Sequence, residues 1–275
     1  MLELPEVITM AGQLQTHVVG SRVTKVLPPT KPHKFCWFQG DPAFYHQALA
    51  GSEITAAEGF GIFVELVFDN GYRLSFNDGV HARLVERAQA PQNYQLLLEL
   101  AGGRALAFTV AMYGGILLHQ GEYADEYYRK SREAVSPASP EFAPYFQKLL
   151  AESKPTLSVK ALLATGQRIP GLGNGVLQDI LFAAKLHPKR KCGSLSPLEV
   201  AQLRDGIPRV LGEMTRSGGR NTEKDLFDQP GGYPVKMGRS ALASGCPVCG
   251  GPVTKETYLG GAIYVCTACQ PLEKA

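Results

Sequence analysis

The chain has 275 residues, of which 44% are hydrophobic and 19% charged, and its net charge at pH 7 is +3. This length and composition allow one large domain or two modest ones with a buried core. No apolar run approaches the roughly 20 residues that cross a bilayer, which excludes a membrane-spanning protein. The opening MLELPEVITM has acids where a secretory signal needs lysines, so we expect a cytoplasmic protein.

Charge is unevenly distributed along the chain. Residues 154–224 hold 12 Lys or Arg against 5 Asp or Glu, whereas residues 1–153 hold 12 against 16. A basic segment of this kind is typical of a surface that binds a polyanion, although a solvated helical face has the same composition. Charge alone leaves both interpretations open.

The N-terminal part predicts one helix followed by strands. Apolar residues at i, i+3 and i+4 spacing predict a helix over 5–19, which Pro5 begins and Gly20 ends. From residue 22 to about 119 the period is two, with hairpin turns at 69–71 and 102–103 and a short helix near 42–50. We therefore assign residues 1–125 to an antiparallel β-sandwich or barrel with a leading helix.

The remainder predicts a linker, a helical domain and a small terminal module. We assign the linker to residues 126–138, which lie in an acidic, tyrosine-rich and Ser-Pro-containing stretch. Helices are predicted over 140–151, 158–164, 174–184 and 197–216, the last with Ser196 as its N-cap, inside a domain of residues 139–235. The fold class is α+β and multidomain, and it ends in a hairpin over 240–272.

Four cysteines near the C-terminus form two CxxC pairs, Cys246 with Cys249 and Cys266 with Cys269, separated by sixteen residues. This spacing predicts one tetrahedral Zn²⁺ site that replaces the core a short hairpin cannot build. The ion would be structural, one per chain, because four thiolates leave no open coordination position. Two disulfides are the alternative, and they need an oxidising compartment.

A glycine-rich loop, residues 169–175, connects two of the predicted helices. Its glycines allow a sharp turn, and the helix that starts at Asn174 presents backbone N–H groups suited to a phosphate. By itself such a loop is equally typical of an ordinary helix–loop–helix. The basic run 187–191 that follows favours contact with a nucleic-acid backbone.

Together these motifs resemble the formamidopyrimidine-DNA glycosylase/endonuclease VIII family. The opening ELPEV, the loop with the helix after it, the stretch 218–233 and the four cysteines follow the family's order along the whole chain. The resemblance implies an N-terminal helix with a β-sandwich, a helix–two-turn–helix domain and a zinc hairpin. It also implies a monomer that binds duplex DNA with a damaged or abasic site, across the cleft between the two large domains.

The family's chemistry implies a DNA N-glycosylase and AP lyase of base excision repair that flips a damaged nucleotide from the duplex. Its N-terminal proline amine attacks the sugar C1′, forms a Schiff base and expels the base. Here Leu2 stands in the proline's place, and we expect Met1 to remain because aminopeptidases need a small second residue. The candidate catalytic residues are Met1, Leu2, Glu3 and Glu6.

The resemblance also implies a set of DNA-binding residues. In the helical domain they are Lys160, Gly173, Asn174, Lys189, Arg190, Lys191 and Tyr233, and in the sandwich they are Met112 and Tyr113. Met112 and Tyr113 would wedge into the vacated base position, or else form a buried strand end. The lesion is chosen by loop contacts that we place at residues 221–230, and no spacing rule identifies it.

Three further positions depart from the family pattern. Gly61 replaces the lysine of a β-hairpin, Gly261 lies where the family has a phosphate-binding arginine, and Val80 occupies a usual methionine position. Lys34 is a candidate substitute nucleophile, although a solvent-facing lysine on an apolar strand is its ordinary explanation.

Three functions therefore remain open at this point. The first is a glycosylase/AP lyase whose Schiff-base chemistry at the N-terminal amine is weak or altered. The second is a non-catalytic protein that binds damaged DNA or a DNA structure, and the third is an RNA-binding zinc-ribbon protein. The two retained glutamates favour the enzyme, whereas Leu2 and the two glycines favour the binder.

Overall fold

The computed structural model describes residues 1–121 and 123–272, and contacts divide the chain into two units. Unit 1 comprises Met1–Arg132 and Gly218–Gly232, and unit 2 comprises Glu133–Ser217 and Tyr233–Ala275. The segment Gly218–Gly232 packs with the N-terminal unit, whereas the sequence placed it in the helical domain. The pair Gly218-Gly219 and the polar composition of the segment do not indicate a contact with residues so distant in the sequence.

Unit 1 begins with helix α1, Leu4–His17, close to the predicted range. Its predicted apolar stripe is buried throughout, with Val7, Leu14 and Val18 at 0% exposure. The helix lies directly on the sheet at Gly59, where an added Cβ would come within 2.8 Å of the Val7 carbonyl oxygen. A side chain at that position would push α1 away from the core.

The sandwich of unit 1 has nine strands. They are β1 (Val23–Leu27), β2 (Cys36–Phe38), β3 (Ile54–Phe60), β4 (Phe63–Phe68), β5 (Tyr72–Asn77), β6 (Val80–Glu86), β7 (Leu96–Leu100), β8 (Arg104–Val110) and β9 (Gly114–Gln120). One sheet has the order β1-β7-β8-β6 and the other β2-β9-β5-β4-β3. Helix α2 (Tyr45–Leu49), preceded by a 3-10 turn at Pro42–Phe44, confirms the predicted short helix, and a second 3-10 turn spans Arg87–Gln89.

The pairing departs from the predicted antiparallel pattern at one edge. Strand β2 pairs in parallel with β9, with Cys36 opposite Gly114 and Trp37 opposite Gly115. A parallel pair needs a long connection, which the chain from residue 39 to 113 provides. Because that connection consists of other strands, the local pattern near residue 36 predicts a strand but not its partner.

The predicted linker contains helix α3, Glu126–Glu133. The sequence did not predict this helix, because it is rich in charged residues and has no apolar stripe; only Tyr128 and Ser131 in it are buried. Tyr128 attaches α3 to the sheet: its hydroxyl donates to Glu65 on β4 at 2.7 Å, and its ring lies edge-on to Phe63 at 5.5 Å.

Glu65 is a fully buried carboxylate, at 0% exposure. Burial alone would raise the pKa of Glu65, but hydrogen bonds from His119, Ser75, Tyr128 and Arg73 lower that pKa to about 2. The Ser75 hydroxyl donates at 2.6 Å and the Arg73 guanidinium at 2.5 Å. The carboxylate therefore stays ionised and connects three strands of one sheet, β4, β5 and β9, with α3.

We expect this carboxylate to make stability depend on acidity. Because the pKa of Glu65 falls from 4.5 to about 2 on folding, its contribution is present above pH 4.5 and is lost as pH falls toward 2. Glu65→Gln should remove that pH dependence and lower the free energy of unfolding at neutral pH by about 3 kcal/mol. Denaturant unfolding across this pH range measures both effects. The exposed Glu152→Gln, as control, should leave the curve unchanged, and an unchanged slope in the Glu65 variant would contradict the assignment.

Unit 2 is helical with a terminal hairpin. Its elements are α4 (Phe142–Glu152), α5 (Val159–Ala164), α6 (Asn174–Ala183), a 3-10 turn (Cys192–Ser194), α7 (Pro197–Arg216), α8 (Ala241–Ser244), β10 (Thr254–Tyr258) and β11 (Gly261–Val265). All four predicted helices are present within two residues at each end. Ser196 caps α7 as predicted, because its hydroxyl accepts from the Glu199 amide. Among the described residues, no helix is long and apolar enough to cross a membrane.

Candidate active site

The N-terminus of unit 1 is held in place by its second residue. The Leu2 amide donates to the Asp78 carbonyl oxygen at 2.7 Å, and the Leu2 side chain lies in the hydrophobic core with 6% exposure. Glu3 follows as the N-cap of α1, and its amide donates to the Glu6 carboxylate at 3.3 Å. Two glutamates in the first turn suit the positive end of the helix dipole.

A buried arginine, Arg220, lies between these two glutamates. Its guanidinium donates to Glu6 through Nε at 3.0 Å and through Nη2 at 2.7 Å, and its Nη1 lies 3.4 Å from Glu3 Oε2. The Arg220 amide also donates to Glu6, at 3.0 Å. Burial alone would lower the pKa of Arg220, but Glu3, Glu6 and Glu223 raise it, so the guanidinium is always charged.

The terminal ammonium of Met1 forms an ion pair with Glu223. Glu223 follows Arg220 by three residues, and Arg220 Nη2 donates to the Met1 carbonyl oxygen at 3.4 Å. One short segment therefore supplies the cation that fixes both glutamates and the carboxylate that holds the amine. Met1 is 41% exposed, whereas Leu2 and Glu3, which follow it, are buried.

Beside the amine lies a cavity of about 320 Å³. It is lined by Met1, Leu2, Glu6, Asp78, Gly79, Val80, His81, Ala111, Met112, Thr222, Glu223 and Lys224. Burial raises the pKa of the Asp78 carboxyl, an effect that the nearby terminal ammonium opposes. Burial also lowers the pKa of His81, whose Nε2 lies 3.1 Å from the Asp225 carbonyl oxygen.

The segment that carries Arg220 and Glu223 is anchored from both sides. Gln13 on α1 donates to the Asp225 carboxylate at 2.8 Å and accepts from the Leu226 amide at 3.0 Å, and Leu226 is fully buried. At Gly231 an added Cβ would lie 2.3 Å from the Gly219 backbone, so the segment closes on itself too tightly for any side chain there. The loop predicted to select the lesion is thus attached to α1.

The structure brings together all four predicted catalytic residues and explains part of the departure from the family pattern. Val80 is buried at 1% exposure and packs in the core, and it also contributes to the cavity wall. Gly61 lies in the β3–β4 turn with φ at 52°, a conformation in which a lysine would be strained. Lys34 is exposed and is not part of the cavity lining.

In unit 2, three of the predicted DNA-binding side chains have other roles. Lys160 is 2% exposed, and its Nζ donates to the Tyr258 carbonyl oxygen of the terminal hairpin at 2.6 Å. Arg190 is 7% exposed and pairs with Glu199 at 3.2 Å. Tyr233 is 5% exposed, and burial followed by the charge of Asp179 raises its pKa. Their DNA-binding roles stay predictions, and in the structure each of the three side chains is buried with a partner inside unit 2.

The remaining predicted DNA-binding side chains of unit 2 are partly accessible. Asn174 begins α6 and Gly173 is its N-cap. The Asn174 side-chain amide, through Nδ2, donates to the Ala262 carbonyl oxygen at 2.8 Å and so holds the hairpin. Lys189 is partly exposed and pairs with Glu256, and Lys191 is exposed. In unit 1, Met112 is 60% exposed and Tyr113 36%, which rejects the alternative of a buried strand end.

The four C-terminal cysteines converge on one point. All their sulfur atoms lie within 4.8 Å of one another, with Cys246 and Cys269 at 3.7 Å and Cys249 and Cys266 at 3.5 Å. A tetrahedron of thiolates around Zn²⁺ has edges of about 3.8 Å, given a Zn–S bond of about 2.3 Å, whereas a disulfide needs about 2.05 Å. The geometry fits a four-thiolate metal site and does not fit two disulfides.

Arg220 and Glu223 are the site residues that sequence reasoning missed. Neither lies in a motif that predicts a catalytic role, and 214 residues separate Arg220 from Glu6. One signal was available: two glutamates in one helical turn, if buried, require a cation nearby. That requirement predicts an arginine or lysine partner without identifying which one.

Comparison with known proteins identifies the class. Residues 1–111 match the model of the formamidopyrimidine-DNA glycosylase N-terminal domain. The chain is 30% identical to the formamidopyrimidine-DNA glycosylase of Symbiobacterium thermophilum, over 99% of this chain and 90% of that protein, and 31% identical to that of Thermus thermophilus, over 98% of each.

Solved structures agree with this result. The crystal structure of the Thermus thermophilus protein aligns with a TM-score of 0.81 at 25% identity, over 99% of this chain and 100% of that one. The Lactococcus lactis protein in complex with DNA containing an abasic site aligns with a TM-score of 0.84 at 22% identity, over 98% and 99%. The chain belongs to the formamidopyrimidine-DNA glycosylase family, and the predicted family and α+β fold class are confirmed.

Proposed function

We propose that this protein is a DNA glycosylase/AP lyase that acts on duplex DNA with a damaged or abasic nucleotide, and that its nucleophile is the primary amine of Met1. The observation that carries the proposal is the position of that amine, which borders the 320 Å³ cavity and is paired with Glu223. The family's other members named above are formamidopyrimidine-DNA glycosylases, and the Lactococcus lactis relative is bound to abasic-site DNA.

Met1 suits the nucleophilic role better than Leu2. The Leu2 nitrogen is already committed to the Asp78 carbonyl oxygen at 2.7 Å, and its side chain is part of the core. Removing Met1 would place a charged ammonium at that nitrogen. The Met1 amine instead reaches the cavity one residue further out, with a carboxylate beside it.

In this reaction Met1 supplies the nucleophile, and the glutamates Glu223 and Glu3 transfer protons. Glu223 accepts a proton from the Met1 ammonium, and the freed lone pair bonds to C1′ of the flipped nucleotide. With a damaged base the C1′–N bond breaks and the base leaves with a proton; the C1′–O4′ bond then breaks, O4′ takes a proton and the sugar ring opens. At an abasic aldehyde the carbonyl oxygen leaves as water. Both routes end in a Schiff base, from which proton loss at C2′ breaks the strand by elimination. Glu3, the N-cap of α1 next to the terminal dipeptide, would carry protons around the sugar, as the family resemblance implies.

Arg220 is a positioning residue in this scheme. It holds Glu3 and Glu6 as carboxylates in a buried setting, and it contacts the Met1 carbonyl oxygen. Held this way, both carboxyl groups and the Met1 carbonyl oxygen share one fixed cation. A misplacement of about 1 Å at such a site costs about a hundredfold in rate.

The DNA backbone would be held by the accessible basic residues of unit 2. Lys191 is exposed, and Lys189 is partly exposed beside Glu256. Met112, at the cavity wall and 60% exposed, would fill the space that the flipped nucleotide leaves. Phosphate contacts of this kind make the affinity fall steeply with salt.

The metal site would hold one structural Zn²⁺ on Cys246, Cys249, Cys266 and Cys269. The ion would supply folding free energy to the hairpin and no reaction chemistry, since all four coordination positions are occupied by protein sulfur. A hairpin fixed in this way presents its backbone to the side chains of α5 and α6 that hold it.

Loss of catalysis with retention of binding is a second candidate function. The observation that favours it is Gly61, which lacks the side chain that the family carries in the β3–β4 turn and whose φ of 52° disfavours one. In that case the clamp would bind abasic DNA and form no covalent adduct.

Borohydride trapping on an abasic duplex separates the two functions. The wild-type chain is expected to give a covalent adduct, and Glu3→Gln should slow its formation by about 10²- to 10⁴-fold, the usual contribution of a proton-transferring group. Glu223→Gln should slow adduct formation at neutral pH, because the Met1 amine loses the neighbouring carboxylate that accepts its proton. Glu53→Gln, an exposed carboxylate away from the cavity, is the control and should trap normally. Tight binding with no adduct would select the non-catalytic candidate.

A further inference from the structure

Four large apolar side chains are exposed together on unit 1. Phe35 is 47% exposed, Trp37 53%, Met112 60% and Tyr113 36%. We call these four residues the apolar platform. Folded proteins rarely group such residues on their surface without a binding partner.

Two neighbouring chain segments form the platform. The Phe35 carbonyl oxygen accepts from the Gly114 amide at 3.0 Å, and β2 continues this pairing along β9. Cys36 and Phe38 pack against the core, so alternation along the strand turns Phe35 and Trp37 to the solvent side. The Trp37 and Tyr113 rings are 6.3 Å apart at 55°, which leaves each with an open face.

The charge beside the Phe35 end of the platform is positive, whereas the carboxyl group of Asp78 lies near Tyr113 at the other end. Lys31 and Lys34 are exposed, and residues 31–38 contain no acidic residue. The Lys34 Nζ lies 5.2 Å from the centre of the Phe35 ring, so a cation borders the ring itself. A partner must therefore combine flat apolar groups with negative charge at short intervals.

We propose that the apolar platform binds unpaired nucleobases of single-stranded DNA, with Lys31 and Lys34 on the phosphates. Only an unpaired base exposes a face to stack on an aromatic ring, and every base has such a face. Met112 belongs both to the platform and to the cavity lining. The inference rests on the proposed function, because it makes single-stranded DNA next to the Met1 amine part of what the enzyme recognises.

Trp37 is the only tryptophan of the chain, so its fluorescence reports on the platform directly. We expect an oligothymidylate to quench this emission at saturation, and an intact blunt duplex of equal length to quench it far less. Anisotropy of labelled oligothymidylate then gives affinities for variants. Phe35→Ala and Tyr113→Ala should each weaken binding by about 5- to 150-fold, equivalent to about 1–3 kcal/mol per stacked base.

Tyr127→Ala is the matched control, because Tyr127 is an aromatic side chain of 54% exposure on α3, outside the platform. It should bind oligothymidylate as the wild type does. Binding of abasic duplex without quenching, and without loss in the platform variants, would overturn the inference while leaving the proposed function intact. No binding to any DNA would overturn both. Quenching that depends on protein concentration in the absence of DNA would assign the platform to a second copy of the chain and overturn the inference.

Discussion

Arg220→Met should destabilise the protein more than any other single substitution at the site. The change leaves Glu3 and Glu6 buried, at 6% and 5% exposure, without their cation. Removing one partner of a buried ion pair costs about 3–5 kcal/mol, because the remaining charge is uncompensated. We therefore expect the free energy of unfolding, measured with denaturant, to fall by about that amount.

The same substitution should also impair chemistry beyond its effect on folding. At temperatures where the variant is still folded, Schiff-base trapping should be about a hundredfold slower, since Glu3 and the Met1 carbonyl lose a common anchor. Arg220→Lys keeps the charge but not the two-pronged bond to Glu6, so it should restore stability more than it restores trapping.

Arg209→Met provides the matched control. Arg209 pairs with Glu213 one turn along α7, and its side chain is 54% exposed. Its loss should cost no more than about 0.5 kcal/mol and should leave trapping unchanged. A similar small cost for Arg220→Met would show that the buried cluster does not hold the N-terminus.

Removing the metal should have the second large effect. Structural zinc contributes about 10–16 kcal/mol in isolated zinc-binding peptides, and the hairpin here has few other buried contacts. Cys266→Ser is expected to abolish stoichiometric zinc, measured as metal content per chain, and to unfold the segment from 246 to 269. Affinity for abasic duplex should then fall on the order of tenfold or more, through loss of the hairpin and its neighbours.

The hairpin's neighbours make this effect specific. Lys160 and Asn174 donate to hairpin carbonyl groups, and Gln178 both donates to Ala262 and accepts from the Tyr264 amide at 3.1 Å. When the hairpin unfolds, these buried groups lose their partners, so amide exchange should rise in α5 and α6 as well. Cys36→Ser is the control and should retain one zinc per chain. Full zinc content in Cys266→Ser would contradict the four-cysteine site.

Local patterns predicted the elements well, because their causes lie close together in the chain. The stripe from Val7 to Val18 follows helical spacing, Ser196 lies next to the helix that it caps, and the CxxC pairs are separated by a hairpin's length. Each of these features depends on residues within about one element of one another. Their structural outcome matches the sequence-based expectation closely.

Long-range contacts account for what was missed. Arg220 and Glu6 are 214 positions apart in the chain, and β2 pairs with β9 although the other strands of the sheet lie between them in the sequence. Lys160 looks like a phosphate ligand in sequence but is buried beneath the hairpin, where burial lowers its pKa. In each case the contact depends on residues far away in the sequence, so the neighbouring residues alone do not predict it.

The central claim is that the Met1 amine is the nucleophile, and mapping a trapped adduct tests it most directly. The protein is treated with borohydride on an abasic duplex, digested, and sequenced by mass spectrometry, alongside an intact-mass determination of the free chain. We predict a retained Met1 whose α-nitrogen carries the sugar remnant. An adduct on Lys34 or any other lysine, or on Leu2 after loss of Met1, would contradict the assignment.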